Sequence, residues 1–399
     1  MWEKDIDINE IKEIRVKTTA YLGVGAIQKF NDIAEELASK GIDKVLIVTG
    51  KGAYKKTGAW DVIEPALKKN SIEFAHYDGI RPNPEDKDVD DATEMGKKIG
   101  AKAVIGIGGG SPIDAAKSAA ILLEYPEKTC QELYEFEFIP EKAVPVIAVN
   151  LTHGTGTEVD RFAVVSIPSK EYKPAIAYDC IYPMYAIDDP ALMKTLPQNQ
   201  TTFVSVDAVN HVFEAATTKV STPFSILLAE ETVRLVHKYL PKALENSDDI
   251  EARYYLLYAS LIAGTSFDNG LLHFTHALEH PLSAMKSDVT HGDGLGILLP
   301  AVVKCCFDAR KETILDIFAP IFGDKGNESL TADEAGKLVK EWLVSVGVTH
   351  TLKDLGFVES DLKRLTDLAF TTPSLKGLLD CAPVDATEET VYNIFKESL

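Results

Sequence analysis

The stretch AVIGIGGGSPIDAAKSAAILL, residues 103–123, decides how the first half of the chain folds. A Val- and Ile-rich run makes a buried-strand pattern, three glycines break it, and Ser-Pro opens a segment with helical spacing. Ser111 is the expected N-cap, with Pro112 at the first helical position. Such a helix start presents free N–H groups and the positive end of a dipole, and Gly108, Gly109 and Gly110 let a diphosphate approach the backbone. The run is neither GxGxxG nor GxxxxGK[ST], so a purely structural tight turn is the competing reading. Asp114 and Lys117 fall within the first two turns of the helix.

Outward from this unit, KVLIVTG (44–50), IEFAHYD (72–78) and VPVIAVN (144–150) repeat the strand pattern with helix-like segments between them. The alternation predicts a parallel sheet covered by helices on both faces. A second small-residue loop, NLTHGTGTEVD (150–160), supplies the hydroxyls of Thr152, Thr155 and Thr157 after the next strand, where loops converge on a ligand crevice. Gly23 and Gly25 in YLGVGAIQKF lack a third glycine at the required spacing and read as a structural turn. After YAIDDPAL (185–192) nearly everything has helical spacing, as in FSILLAEETVRLVHKYLPKALEN and EARYYLLYASLIAG. The expected division is an α/β domain at 1–189 and an all-α domain at 190–399.

Composition narrows the partners. The apolar share of 45% is that of an ordinary folded protein, and the formal charge of -20 repels phosphate backbones and anionic lipid surfaces, so neither nucleic acid nor membrane is an expected partner. The start, MWEKDIDINEIKEIRVK, is charged throughout, and no apolar run approaches the roughly 20 residues that span a bilayer. A cytoplasmic location is expected. Five cysteines without CxxC spacing indicate neither a disulfide framework nor a thiolate metal site.

Four of the nine histidines lie in LLHFTHALEHPLSAMKSDVTHG, residues 271–292. On a helix His273, His276 and His280 share one face, and any one of them alone reads as a packed core histidine. Upstream, in SVDAVNHVFEAATTK, Asp207 and His211 are spaced to reach one ion from a single helical face. With a loop histidine, His291, ahead of Gly292, these residues make an Asp plus three-His set suited to Fe(II), Zn(II) or Mn(II). Spacing leaves open which helical histidine binds. For Asp207 the competing reading is a helix N-terminal carboxylate that faces the dipole.

In chain order, GGGSPIDAAK, the GTGTEV loop, DDPALMKTLP, DAVNHVFEA and HALEHPLSAMKSDVTHGDGLGILLP resemble the iron-containing (group III) alcohol dehydrogenases over nearly the full length. The resemblance implies a Rossmann-like, dehydroquinate-synthase-like α/β domain followed by a helical domain. It implies metal ligands at Asp207, His211, His276 and His291, with His280 beside metal and nicotinamide as the expected proton relay. It implies cofactor contacts at Asn83 of RPNPE, Gly109, Gly110, Ser111, Asp114, Thr152, Thr155 and Lys173. His273 has no family counterpart and is expected to be helix packing.

In VTGKGAYKK (48–56), Gly50 stands where NAD-preferring relatives often carry an Asp, and Lys51, Lys55 and Lys56 follow. Local positive charge favours a 2′-phosphate, so NADP(H) is expected over NAD(H), with Gly50 and Lys51 at the cofactor. The implied reaction is reversible hydride transfer between NADP(H) and an alcohol/aldehyde pair. Fe2+ is the expected metal, Zn2+ a substitute, and a homodimer the expected assembly. His153, the Asp160-Arg161 pair and one extra residue between His280 and His291 depart from the family pattern and are expected to border the substrate cleft. A metal-dependent hydrolase that uses the glycine loop only as structure is the alternative of another class.

Overall fold

Each of these Val- and Ile-rich runs forms a strand in the computed structural model, which describes residues 2–6, 10–327 and 329–399. Residues 1 and 7–9 of the charged N-terminal segment lie outside the described residues. In chain order the strands are β1 (Thr19–Leu22), β2 (Lys44–Thr49), β3 (Glu73–Tyr77), β4 (Ala103–Gly108) and β5 (Val146–Asn150). A separate antiparallel hairpin of β6 (Phe162–Val164) and β7 (Ala175–Ala177) follows, and β8 (Tyr185–Asp188) returns to the main sheet. That sheet is parallel throughout, in the order β1-β8-β5-β4-β2-β3. Strand β1 was not legible in the sequence: it is a half-exposed edge strand of four residues without a continuous apolar run.

Alternate side chains of β2 and β4 enter two apolar cores, Leu46, Val48 and Val104 on one face and Val45, Ile47, Ile105 and Ile107 on the other. Burial on both faces explains why these strands read as unbroken hydrophobic runs. The chain steps outward from β2 to β3, crosses back to β4, and continues the other way to β5. At such a switch the loops after neighbouring strands diverge and leave a crevice at their carboxyl ends. Here that crevice opens where Gly50 follows β2 and Gly109 follows β4.

Helix α1 (Gly110–Glu124) leaves β4 with Gly109 as its N-cap, so the helix begins before Ser111, the N-cap expected from sequence. Beyond β8, the Asp189 side chain accepts from the amides of Ala191 (3.0 Å) and Ile27 (3.1 Å), which ties the exit from the sheet to the first helical layer. The helices that follow are α2 (Gln198–Thr217), α3 (Pro223–Glu245), α4 (Ile250–Gly270), α5 (Phe274–Met285) and α6 (His291–Cys306). Helix α2 is buried on nearly every side, as a helix at the centre of a bundle must be, and packs against α3, α4 and α6. Among the described residues no helix is long and apolar enough to cross a membrane.

Three local expectations are corrected. Asp207 lies midway along α2, not at its N-terminus, so the dipole reading of its carboxylate fails. His291 is the first residue of α6, not a loop residue. His273 precedes α5 and does not share its inner face with His276 and His280; it is packed against Phe213 and bonded to Thr217 Oγ1 (2.8 Å).

Candidate active site

Asp207 and His211, one turn apart on α2, line a cavity of about 1140 Å³ between the sheet's carboxyl edge and the helices. Asp207 Oδ1 stands 3.4 Å from His211 Nδ1, 3.6 Å from His276 Nε2 and 4.0 Å from His291 Nε2. None of these contacts is a hydrogen bond, and Asp207 Oδ1, His211 Nδ1 and His276 Nε2 are buried without any hydrogen-bond partner. Buried polar atoms are nearly always paired, so an orphaned set around one point calls for a cation. Ligand atoms ~2.1 Å from a tetrahedral ion lie roughly 3.4 Å apart, close to the spacing here. One carboxylate with imidazoles and no thiolate fits a first-row divalent ion. Burial alone would raise the Asp207 carboxyl, but His211, His291 and His276 outweigh it and hold it at about 2.

The ligand atoms of Asp207, His276 and His291 all lie within 4.8 Å of one another. His211 falls outside that tighter group; its ring lies flat between Phe267 (4.6 Å) and His276 (4.4 Å). The approach of α6 to α2 depends on Gly292, because a Cβ there would stand 2.0 Å from the Phe203 carbonyl oxygen. That contact places His291 level with Asp207.

Two carboxylates that sequence reasoning missed orient the imidazoles. Glu214, buried on α2, accepts from His276 Nδ1 and from the amides of Thr275 and His276. Glu279, buried on α5, accepts from His291 Nδ1, from Ser283 Oγ and from Lys173 Nζ (3.1 Å). Each fixes which ring nitrogen is free to face Asp207. Glu214 had a sequence signal, two helical turns after Asp207 on the same face; Glu279 had none beyond lying between two histidines.

Every residue expected at the cofactor, Gly50, Lys51, Asn83, Gly109, Gly110, Ser111, Asp114, Thr152, Thr155 and Lys173, lines this same cavity, together with His280. The glycine turn also has a packing cause: a Cβ on Gly109 would stand 2.8 Å from the Thr152 side chain, and one on Gly110 2.7 Å from that of Thr155. Asn83, at φ +54°, donates to the carbonyls of Ser287 and Val289 (both 3.3 Å) and so joins the sheet's loops to the segment before His291.

Several side chains are already committed elsewhere. Lys117 is buried and donates to Thr157 Oγ1 (2.8 Å), Asp160 Oδ1 (2.9 Å) and two carbonyls, so it locks the second loop onto α1. The Thr157 hydroxyl donates to Asp114 Oδ1 (2.7 Å), and Asp114 also accepts from the Val164 amide (3.0 Å). Burial pushes the Asp114 carboxyl up to about 6, against the pull of Lys117. His153 does not border the cleft as expected: it is buried behind the loop, where its Nε2 accepts from Arg253 Nη1 (3.1 Å) and its Nδ1 lies 3.3 Å from Ser205 Oγ. Arg161 likewise turns away, to Asp179 and Asp268, whereas Asp160 does line the cavity. Of the expected basic cluster only Lys51 reaches the cavity wall; Lys55 and Lys56 sit outside it.

The family model for iron-containing alcohol dehydrogenase matches residues 18–190, and that for the C-terminal part of Fe-containing alcohol dehydrogenases matches residues 201–399. The chain belongs to the iron-containing alcohol dehydrogenase family. As a member it is an oxidoreductase of a family that acts on alcohols and aldehydes with iron and a nicotinamide cofactor. It is 57% identical, over the full length of both chains, to a long-chain primary alcohol dehydrogenase of Thermoanaerobacter ethanolicus. It is 32% identical to an NADPH-dependent butanol dehydrogenase of Clostridium saccharobutylicum, over 87% of this chain and 88% of the relative. The crystal structure of an NADH-dependent butanol dehydrogenase A from Thermotoga maritima superposes with a TM-score of 0.89 at 32% identity, covering 98% of each chain. In this iron-containing alcohol dehydrogenase the crevice at the switch of the sheet and the carboxylate–imidazole cluster thus open into one space.

Proposed function

We propose that the protein catalyses reversible hydride transfer between NADP(H) and a primary alcohol/aldehyde pair, in a cleft between a dinucleotide-binding domain, 1–189, and a metal-binding domain, 190–399. The observation that carries this reading is Asp207 Oδ1, orphaned among three imidazoles on the wall that faces the Gly109–Gly110 turn. In this reading Asp207, His211, His276 and His291 hold Fe2+, with Zn2+ as the substitute favoured by its higher place in the divalent affinity order. When bound, the ion supplies Lewis acidity toward the substrate oxygen and the nicotinamide carries the hydride.

The chain's own groups do the rest. The free amides at the start of α1 and the Gly109–Gly110 backbone receive the diphosphate. Glu214 and Glu279 keep the imidazoles aimed at one point. In this reading His280 takes the proton released by the alcohol, a role supported by its place on the cavity wall and its unpartnered Nδ1. Phe267, stacked on His211 and touching Phe162, gives the neighbourhood of the reacting carbon an apolar wall that excludes water and receives an alkyl chain. The relative named for long-chain primary alcohols supports that substrate class.

NADP(H) over NAD(H) rests on Gly50, a residue without a side-chain carboxylate directly after β2, and on Lys51 next to it, both on the cavity wall. Relatives named for each cofactor exist, so the direct comparison is needed. An anaerobic assay with added Fe(II), NADPH or NADH and a panel of straight-chain aldehydes tests the reading. Aldehyde-dependent oxidation of NADPH is expected; oxidation of neither cofactor by the iron-loaded protein would overturn it.

We further propose a cytoplasmic homodimer. Strand β1 is an edge of the sheet, and Ile11, Ile14, Val16 and Val24, which precede and follow it in the chain, are exposed, a surface that a second copy would cover. Sedimentation at micromolar concentration tests this, and a monomer there would refute it.

A further inference from the structure

Glu279 holds an ammonium and a hydroxyl as well as the His291 imidazole. Its side chain is fully buried, Oε1 takes the Ser283 hydroxyl, and Oε2 is shared between His291 Nδ1 and Lys173 Nζ. The two donors crowd that oxygen, with Lys173 Nζ only 3.3 Å from His291 Nδ1. Lys173 does not come from the helical half. It sits on the turn between β6 and β7, reaches across the cleft and lines the same cavity as Gly109 and Gly110.

We infer that Lys173 couples the nicotinamide seat to the metal centre by competing with His291 for one oxygen of Glu279. The inference rests on the cofactor and metal reading above. An ammonium has three rotatable donors, and a ligand in the cavity that offers ribose, carboxamide or phosphate oxygens draws them toward itself. With the ammonium drawn away, Glu279 Oε2 is left to His291 Nδ1 alone. A carboxylate that accepts wholly from one ring nitrogen makes the other a more basic ligand. Bound nicotinamide cofactor therefore tightens the metal, and by reciprocity the metal tightens the cofactor by the same factor. Losing an orienting partner outright typically costs ~10–100-fold in metal affinity, so sharing it should cost about five- to tenfold.

The test is the dissociation constant of Zn(II), read by competition with a chromophoric chelator, with and without saturating reduced nicotinamide cofactor. The reduced cofactor that binds is identified first, by its fluorescence. In the wild-type protein the constant should fall about five- to tenfold on saturation, and cofactor affinity should rise by that same factor on loading Zn(II). Glu279→Gln leaves Lys173 free for the cofactor but removes the charge for which it competes. This variant should bind Zn(II) about 10–100-fold more weakly and show a ratio near one with cofactor saturated. Lys173→Met should bind Zn(II) at least as tightly as wild type without cofactor, because His291 then has the oxygen to itself. A wild-type constant unchanged by a cofactor that demonstrably binds, or an undiminished ratio in Glu279→Gln, overturns the coupling alone. Failure of either reduced cofactor to bind the wild type overturns the functional reading with it.

Discussion

Glu214 lies beneath His276, accepting its Nδ1 hydrogen while also receiving the amide of the same residue, at 3.4 Å. Two bonds to one residue fix both where α5 starts and which way the ring points. Glu214→Gln keeps the volume and loses the charge. It should release Fe(II) or Zn(II) about 10–100-fold more readily than wild type on dialysis against a chelator. Metal content equal to wild type under the same dialysis would show that Glu214 serves only the helix start.

His280 separates a proton-transfer role from a supporting one. Its ring stands 5.8 Å from that of His291, and it shares a close group with Glu279 and His291. If it moves the proton, His280→Phe lowers turnover by about 10²–10⁴-fold and changes the pH profile of turnover, while metal content stays near that of wild type. Loss of metal with an unaltered pH profile would assign it to orientation alone.

Burial, with Arg253 alongside, pushes the His153 imidazole down to about 3, so the folded protein keeps it neutral. An unfolded histidine titrates near ~6.5. Between these values the unfolded chain binds the extra proton, so this group's contribution to stability is complete above ~6.5 and is lost as pH falls toward the folded value. From pH 7.5 to 5.5 the loss is about 1.4 kcal/mol, one pKa-unit equivalent for a group half-titrated at the midpoint. His153→Gln keeps an acceptor for Arg253 and removes that dependence. Urea unfolding of both proteins at the two pH values should show the wild type losing about 1.4 kcal/mol more than the variant. Equal losses would mean that His153 is protonated in the folded state.

Lys51 is the only member of its basic cluster on the cavity wall. Lys51→Glu should cut the ratio of kcat/KM for NADPH over NADH by roughly tenfold or more, the ~1.4 kcal/mol scale of one charge-assisted contact. The exposed position predicts an unchanged thermal midpoint. A ratio that does not move would remove the argument for a 2′-phosphate at this corner.

What could be read from the chain itself follows local rules. The strand–glycine–helix unit at 103–123, the two-faced burial of β2, β4 and β5, and the Asp207/His211 pair on one helical side all depend on neighbours within a turn or a strand. Those periodicities are written in the residue order. What the chain could not disclose are contacts made when one element packs on another. Glu214 reaches His276 across 62 positions, Glu279 is claimed by Lys173 from 106 positions away, and His153 turns inward because Arg253 waits behind its loop. Spacing within an element says which side chains share a side, but the crossing of α2, α5 and α6, set by close contacts such as Gly292 on Phe203, decides which of them meet.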